Sequence, residues 1–122
     1  MVRPPIIVNE HGDIHVFPSV EEAETYLEPV DVRNNEYVAY DSEGRRLILS
    51  VRSRPRTFLF GLLTSNVETV AIGCEEEQPQ HAEELRIVLA GSLQRRGHPA
   101  DVVQGLSLRA LMSAASEGTR HR

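Results

Sequence analysis

The chain has 122 residues, a formal net charge of −5, 40% hydrophobic and 25% charged residues. A soluble globular chain of this length buries a core without help from disulfides or metals, and such a balance argues against global disorder. All 13 basic residues are arginine, which excludes Schiff-base lysine chemistry, Walker A phosphate binding and Ser–Lys catalysis. Cys74 is the single cysteine, so an internal disulfide and a Cys₂His₂ or Cys₄ zinc site are excluded as well.

After a Pro4-Pro5 lead-in, residues 6–9 read as a short strand, Glu10-His11-Gly12-Asp13 as a turn, and Ile14 to Phe17 as the returning strand of a hairpin. Ser19 with Glu22 three residues on is a capping box, so a helix starts there. Glu21, Glu22 and Glu24 lie near the positive end of its dipole. Val20, Ala23 and Leu27 share its apolar face, and Pro29 ends it. Asn34-Asn35 is a turn. Residues 36–40 and 45–51, joined by the turn Asp41-Ser42-Glu43-Gly44, predict a second hairpin. Residues 52–67 are ambiguous: Pro55 interrupts them, and Phe58 to Leu63 reads either as core or as an exposed patch.

Glu68 to Cys74 reads as a strand, and Glu75-Glu76-Glu77-Gln78 as a charged loop. Pro79 stands where a first helical residue belongs. The helix over 80–96 then places Ala82, Leu85, Val88, Leu89, Ser92 and Leu93 on one face, with Gly97 as a left-handed stop. Ser107 caps a final helix with the apolar face Leu108, Leu111, Met112 and Ala115. Gly118 ends it. The expected organisation is one α+β domain over residues 1–118 with a frayed tail at 119–122. Its sheet is mostly antiparallel and built from hairpins, with helices packed on one face.

The candidate chemistry is sparse. His11, Asp13 and His15 lie within five residues, yet a turn and a strand give their side chains no common direction, and an exposed hairpin tip explains them. His81 and Glu84 form an i, i+3 pair without the matching ligands that a carboxylate-bridged metal site needs. Cys74 beside Glu75, Glu76 and Glu77 is a poor nucleophile, because neighbouring carboxylates disfavour a thiolate. No G-x-S-x-G elbow surrounds any serine. Asp41 and Glu43 belong to a turn without the ligand count of an EF-hand. Neither a catalytic residue nor a metal ligand nor a cofactor is assigned.

Two charged features remain. Arg52, Arg54 and Arg56 alternate, so an extended segment sets them on one face, to which Arg45 and Arg46 add. The net acidity and the lack of interleaved aromatic residues count against nucleic acid there. Glu21 and Glu22, with Glu75, Glu76 and Glu77, form the candidate partner-binding set, an acidic surface for a basic protein. No run approaches the ~20 apolar residues that span a membrane. The opening MVRPPIIVN is too short an apolar run for a signal peptide. A cytoplasmic location and a protein partner, rather than a membrane or a nucleic acid, are therefore expected.

The pattern PPIIVNEHGDIHVFPSVEEAETYLEPVDVRNNEYVAYDSEGRRL resembles a group of small bacterial proteins of unassigned function. The likeness covers the first half, with a weaker echo in EEEQPQHAEELRIVL. Some proteins of this size and character are similar to immunity proteins, which protect a cell from its own secreted toxins. The resemblance carries no functional residue to a position here; the compact single domain, the acidic face and the missing catalytic constellation lead to the expectation of a non-catalytic protein-binding domain, immunity-like in character. The alternative is a small-molecule- or metal-binding regulatory domain, or a minor hydrolase, using His11, Asp13, His15 or His81.

Overall fold

The structure, a computed structural model, describes residues 1–58, 61 and 63–117, with the backbone alone for Arg56, Phe58 and Thr64. Most of the Phe58 to Leu63 stretch, Gly118 as a helix stop and the frayed tail therefore lie outside the described residues.

The first two strands, β1 (Ile6–Glu10) and β2 (Asp13–Phe17), pair antiparallel from Ile6↔Phe17 to Glu10↔Asp13. Their turn has two residues, His11 at φ 52° and Gly12 at φ 97°. Positive φ at both central positions is the hairpin geometry that matches the right-handed twist of the flanking strands. Ser19 then caps α1 (Val20–Tyr26): its Oγ accepts from the Glu22 N–H at 3.1 Å. Pro29 bars α1 from continuing, and it also occupies the first turn of a second short helix, α2 (Pro29–Arg33). Sequence reading credits Pro29 only with the stop, although its fixed φ and missing N–H suit a helix start equally.

The third strand, β3 (Val38–Tyr40), pairs with β1 through Ile7↔Tyr40, Val8↔Ala39 and Asn9↔Val38, giving the sheet order β2-β1-β3. Ile6, Ile7 and Val8 on the central strand are all fully buried. Consecutive buried residues mean that both faces of the sheet are covered. Over one face, Ile7, Ile14, Val16 and Tyr40 pack against α3 (Ala82–Arg95) and α5 (Leu108–Glu117) through Leu85, Leu89, Leu93, Leu111 and Ala115. The one-turn α4 (Ala100–Gln104) adds Val103 to this layer. Over the other face, Ile6, Val8, Phe17 and Ala39 pack with Ala23 and Leu27 of α1 and with Leu47 and Val70. The architecture is α+β with antiparallel, hairpin-built sheets. The two long helices share one face, and α1 lies on the other.

The expected second hairpin is cut short to a single bridge. Between β3 and the chain that follows, the pairing is limited to an antiparallel bridge at Tyr40↔Arg46, flanked by the bonds from the Asp41 N–H to the Arg45 carbonyl (2.9 Å) and from the Leu47 N–H to the Ala39 carbonyl (2.8 Å). The cause is the Asp41 side chain, which has no exposed surface. Its carboxylate accepts the backbone N–H groups of Arg3, Glu43 and Arg45 at 3.2, 3.0 and 2.9 Å, and Nη1 of Arg45 at 3.1 Å. The loop therefore curls around a buried carboxylate and does not simply reverse the strand. Gly44, at φ 93°, sits so close to α3 that a Cβ would lie 2.3 Å from the Ala82 Cα. The chain then leaves the sheet to form β4 (Ile48–Phe58) and β5 (Leu63–Gly73), an 11-residue antiparallel pair.

The base of this pair joins the core through Leu49, Val70 and Ile72. Beyond it, every described side chain from Arg52 to Thr57 and from Leu63 to Thr69 is exposed. The distal half is an arm with solvent-exposed side chains, linked to α2 by the Arg33–Glu68 pair. No helix among the described residues is long and apolar enough to cross a membrane.

Candidate functional site

The strand-to-helix corner at Phe17-Pro18-Ser19 creates the most site-like feature on the acidic side. Phe17 points into the core at 1% exposure, and the capped first turn of α1 aims Glu21 and Glu22 outward. Tyr26, one helical turn beyond Glu22, lays its ring 5.1 Å from Phe17 and 5.3 Å from His15 while staying 42% exposed. Between them lies a groove of about 620 Å³, with Phe17, Pro18 and Tyr26 as its apolar part and Glu21, Glu22 and Glu28 around it. An aromatic ring with one wet edge and a desolvated neighbour is a common anchor point at protein interfaces.

The other flank of α1 faces the arm. A second groove, about 710 Å³, is bordered by Glu21, Glu24 and Glu28 on one side and by Arg52 and Arg54 on the other. Glu24 is already engaged, accepting the Ile72 N–H at 2.8 Å. Among the described residues, neither Arg52 nor Arg54 forms an ion pair.

The acidic loop behaves differently from α1. Glu76 is an internal fastener: its carboxylate accepts the N–H groups of Arg46 (3.0 Å) and Gln80 (2.9 Å), and His81 Nδ1 lies 2.8 Å away. Burial opposes its ionisation, but the two backbone donors and the nearby imidazole outweigh burial and hold its pKa below the ordinary carboxylate value. Glu77 contributes its backbone, its carbonyl accepting Nε and Nη2 of Arg45 at 3.2 and 2.9 Å. The side chains of Glu75 and Glu77 are exposed. Of the five expected partner-binding residues, Glu21 and Glu22 thus share a groove, Glu75 and Glu77 project at the entrance to α3, and Glu76 is committed to the fold.

The histidines do not converge. His11 pairs with Glu36, whose hydrogen bond and charge raise its pKa above the usual imidazole value. His15 lies 3.4 Å from Glu10 on the aromatic side of β2. His81 faces Glu76, while Glu84 accepts a 2.5 Å bond from the Tyr40 hydroxyl. Burial, then that bond, pushes the Tyr40 phenol up. Among the described residues no group of three or more His, Cys, Asp or Glu is placed to hold a metal ion. Cys74 is half-buried, with its Sγ 3.5 Å from the Glu76 carbonyl.

Another groove, about 990 Å³, lies elsewhere, between residues 1–5, the Asp41 loop and α5. Of its charged groups, Arg3 and Glu43 pair with each other at 3.3 Å. It offers volume without convergent chemistry. The Asp41–Arg45 pair beside it is buried and fully bonded, which fits a fastener for the loop. Sequence reading missed the part of Tyr26 in the site; its position beside the buried Leu27, at the rim of the apolar face, was the available signal.

No protein-family model, no curated protein and no solved structure matches the chain. Class and function therefore rest on the fold and on the geometry above.

Proposed function

We propose that the chain is a non-catalytic protein-binding domain that docks a basic partner through the α1 side of the molecule. The observation that supports this reading is the groove where Phe17, Pro18 and Tyr26 lie among Glu21, Glu22 and Glu28. It combines an apolar anchor site with carboxylates at its border, the layout of a small interface with a desolvated centre and a charged rim. A basic side chain flanked by an aliphatic or aromatic residue fits it. Glu75 and Glu77 extend the negative field that steers such a partner. An immunity-like inhibitor of a basic toxin is the form of partner binding that the small size and the acidic face suggest.

The test is a tagged pull-down from the native host lysate at low and moderate salt, with the unaltered chain and a Glu21→Lys/Glu22→Lys variant. Surface charges are screened over about 8 Å at physiological ionic strength. The expected result is a basic partner whose capture weakens with salt and falls about tenfold in the variant. Capture of the same partner by both proteins would remove the groove from the interface.

A further inference from the structure

The arm has two long edges, and they differ. The Ile72 N–H bonds to Glu24 of α1, away from β4. Bonding direction alternates along an antiparallel strand, so Glu68 and Asn66 direct their backbone N–H and C=O groups outward on the same side. Pro55 agrees with this phase. It lies opposite Asn66, a position where β4 needs no N–H toward its partner.

The outer edge of β4 is therefore blunted. It has Pro55 in place of an outward donor, and exposed Arg52 and Arg54 stand along the same strand; proline and charge are the usual guards of a free edge. The outer edge of β5 is bonded at its base, where Glu24 holds Ile72, and Arg33 of α2 reaches the Glu68 side chain. Farther out, among the described residues, nothing bonds the outward backbone groups of Glu68 and Asn66. The one ionisable side chain in Leu63–Gly73 is Glu68, and Arg33 pairs with it. A second copy of this strand meets no like charge there, whereas a second copy of β4 would bring arginines against arginines.

We propose that this edge pairs with the β5 edge of a second copy of the chain, antiparallel about a two-fold axis, to make a four-stranded sheet from two arms. A two-fold requires that residue i meet j and j meet i. Leu63 and Val67, 48% and 37% exposed, lie on one face of β5, two residues either side of Ser65. With Ser65 on the axis, Leu63 of each copy stands opposite Val67 of the other. The exposed apolar residues of the edge then become two cross-strand pairs. Asn66 supplies an outward N–H in each copy. This interface uses neither the groove at Tyr26 nor its glutamates, so it stands or falls separately from the docking proposal.

The experiment is sedimentation equilibrium of the purified chain over about a hundredfold range of concentration. A reversible dimer is expected. Asn66→Pro mirrors Pro55 and removes no bond from the β4–β5 ladder, yet deletes an intermolecular bond in each copy, so association weakens by about tenfold or more. Val67→Arg, at an exposed position that folding tolerates, weakens it comparably. Ser53→Pro, which blocks an outward position on the β4 edge, leaves the dimer unchanged. A monomer at every concentration would overturn the proposal, and that includes the case in which the edge takes a foreign strand. So would a dimer indifferent to both β5 variants, or one abolished equally by Ser53→Pro.

Discussion

The Asp41–Arg45 loop and the β4–β5 arm leave the same short segment of chain and reach opposite extremes. The loop is drawn inward: a buried carboxylate collects three backbone N–H groups and a guanidinium, and Gly44 presses against Ala82 while its carbonyl accepts the His81 N–H at 2.9 Å. The arm carries its distal side chains into solvent and keeps Arg52 and Arg54 out of ion pairs among the described residues. One segment spends its polar groups on holding the sheet to α3. The other leaves backbone groups and apolar side chains available for a second molecule. Regions of few buried contacts are where local opening is cheapest and where binding surfaces are drawn from.

Gly44→Ala is expected to disturb the docked loop most. The new Cβ would overlap the Ala82 backbone at 2.3 Å, and φ 93° is strained for any L side chain. Such a clash, with no flexible side chain to yield, is expected to cost about 3 kcal/mol and lower Tm by about 10 °C. Thermal denaturation followed by circular dichroism reads it. A shift near zero would mean that loop and helix are not tightly docked.

A smaller effect comes from pH. The pKa of Glu76 is lowered in the folded chain, so its contribution to stability is present above the ordinary value of 4.5 and is lost as pH falls through the lowered one. Glu76→Gln removes that acid limb. The pKa of exposed His11 is raised by Glu36, so its smaller contribution is present below 6.5 and is lost as pH rises through the raised value. One series of urea midpoints against pH, with Glu76→Gln and His11→Gln beside the parent chain, reads both. A flat acid limb in the parent would show that Glu76 does not fasten the loop.

Local chemistry made much of the fold legible. Positive φ at His11-Gly12, the Ser19 cap, the buried face of α3 and the left-handed Gly97 (φ 99°) all sit where residue types and spacing place them. The partner of β3 was not legible. A Tyr- and Val-rich run, an Asp-Ser-Glu-Gly turn and a second β-rich run read as a hairpin whether or not the aspartate is buried, and its burial depends on Arg3, 38 residues away. Two strands that leave one another for other partners are a tertiary outcome that no local window records. The candidate site was half legible. Glu21 and Glu22 stand out as charges, but the apolar floor joins Phe17 on a strand with Tyr26 on a helix, and only packing brings them together. Glu76 looks like its neighbours in sequence, and only the orphan N–H groups of Arg46 and Gln80 set it apart.

Native-state amide hydrogen exchange measures the contrast between body and arm most directly. At low protein concentration, the amides of Ile7 and of Arg45, bonded within the buried sheet and the Asp41 loop, are expected to exchange only with global unfolding. Those of Asn66 and Glu68 exchange as freely as in an unstructured peptide and slow as concentration rises. Uniform protection of all four at the lowest concentration, or fast exchange at Arg45, would contradict the division into a fastened body and an arm with an open edge.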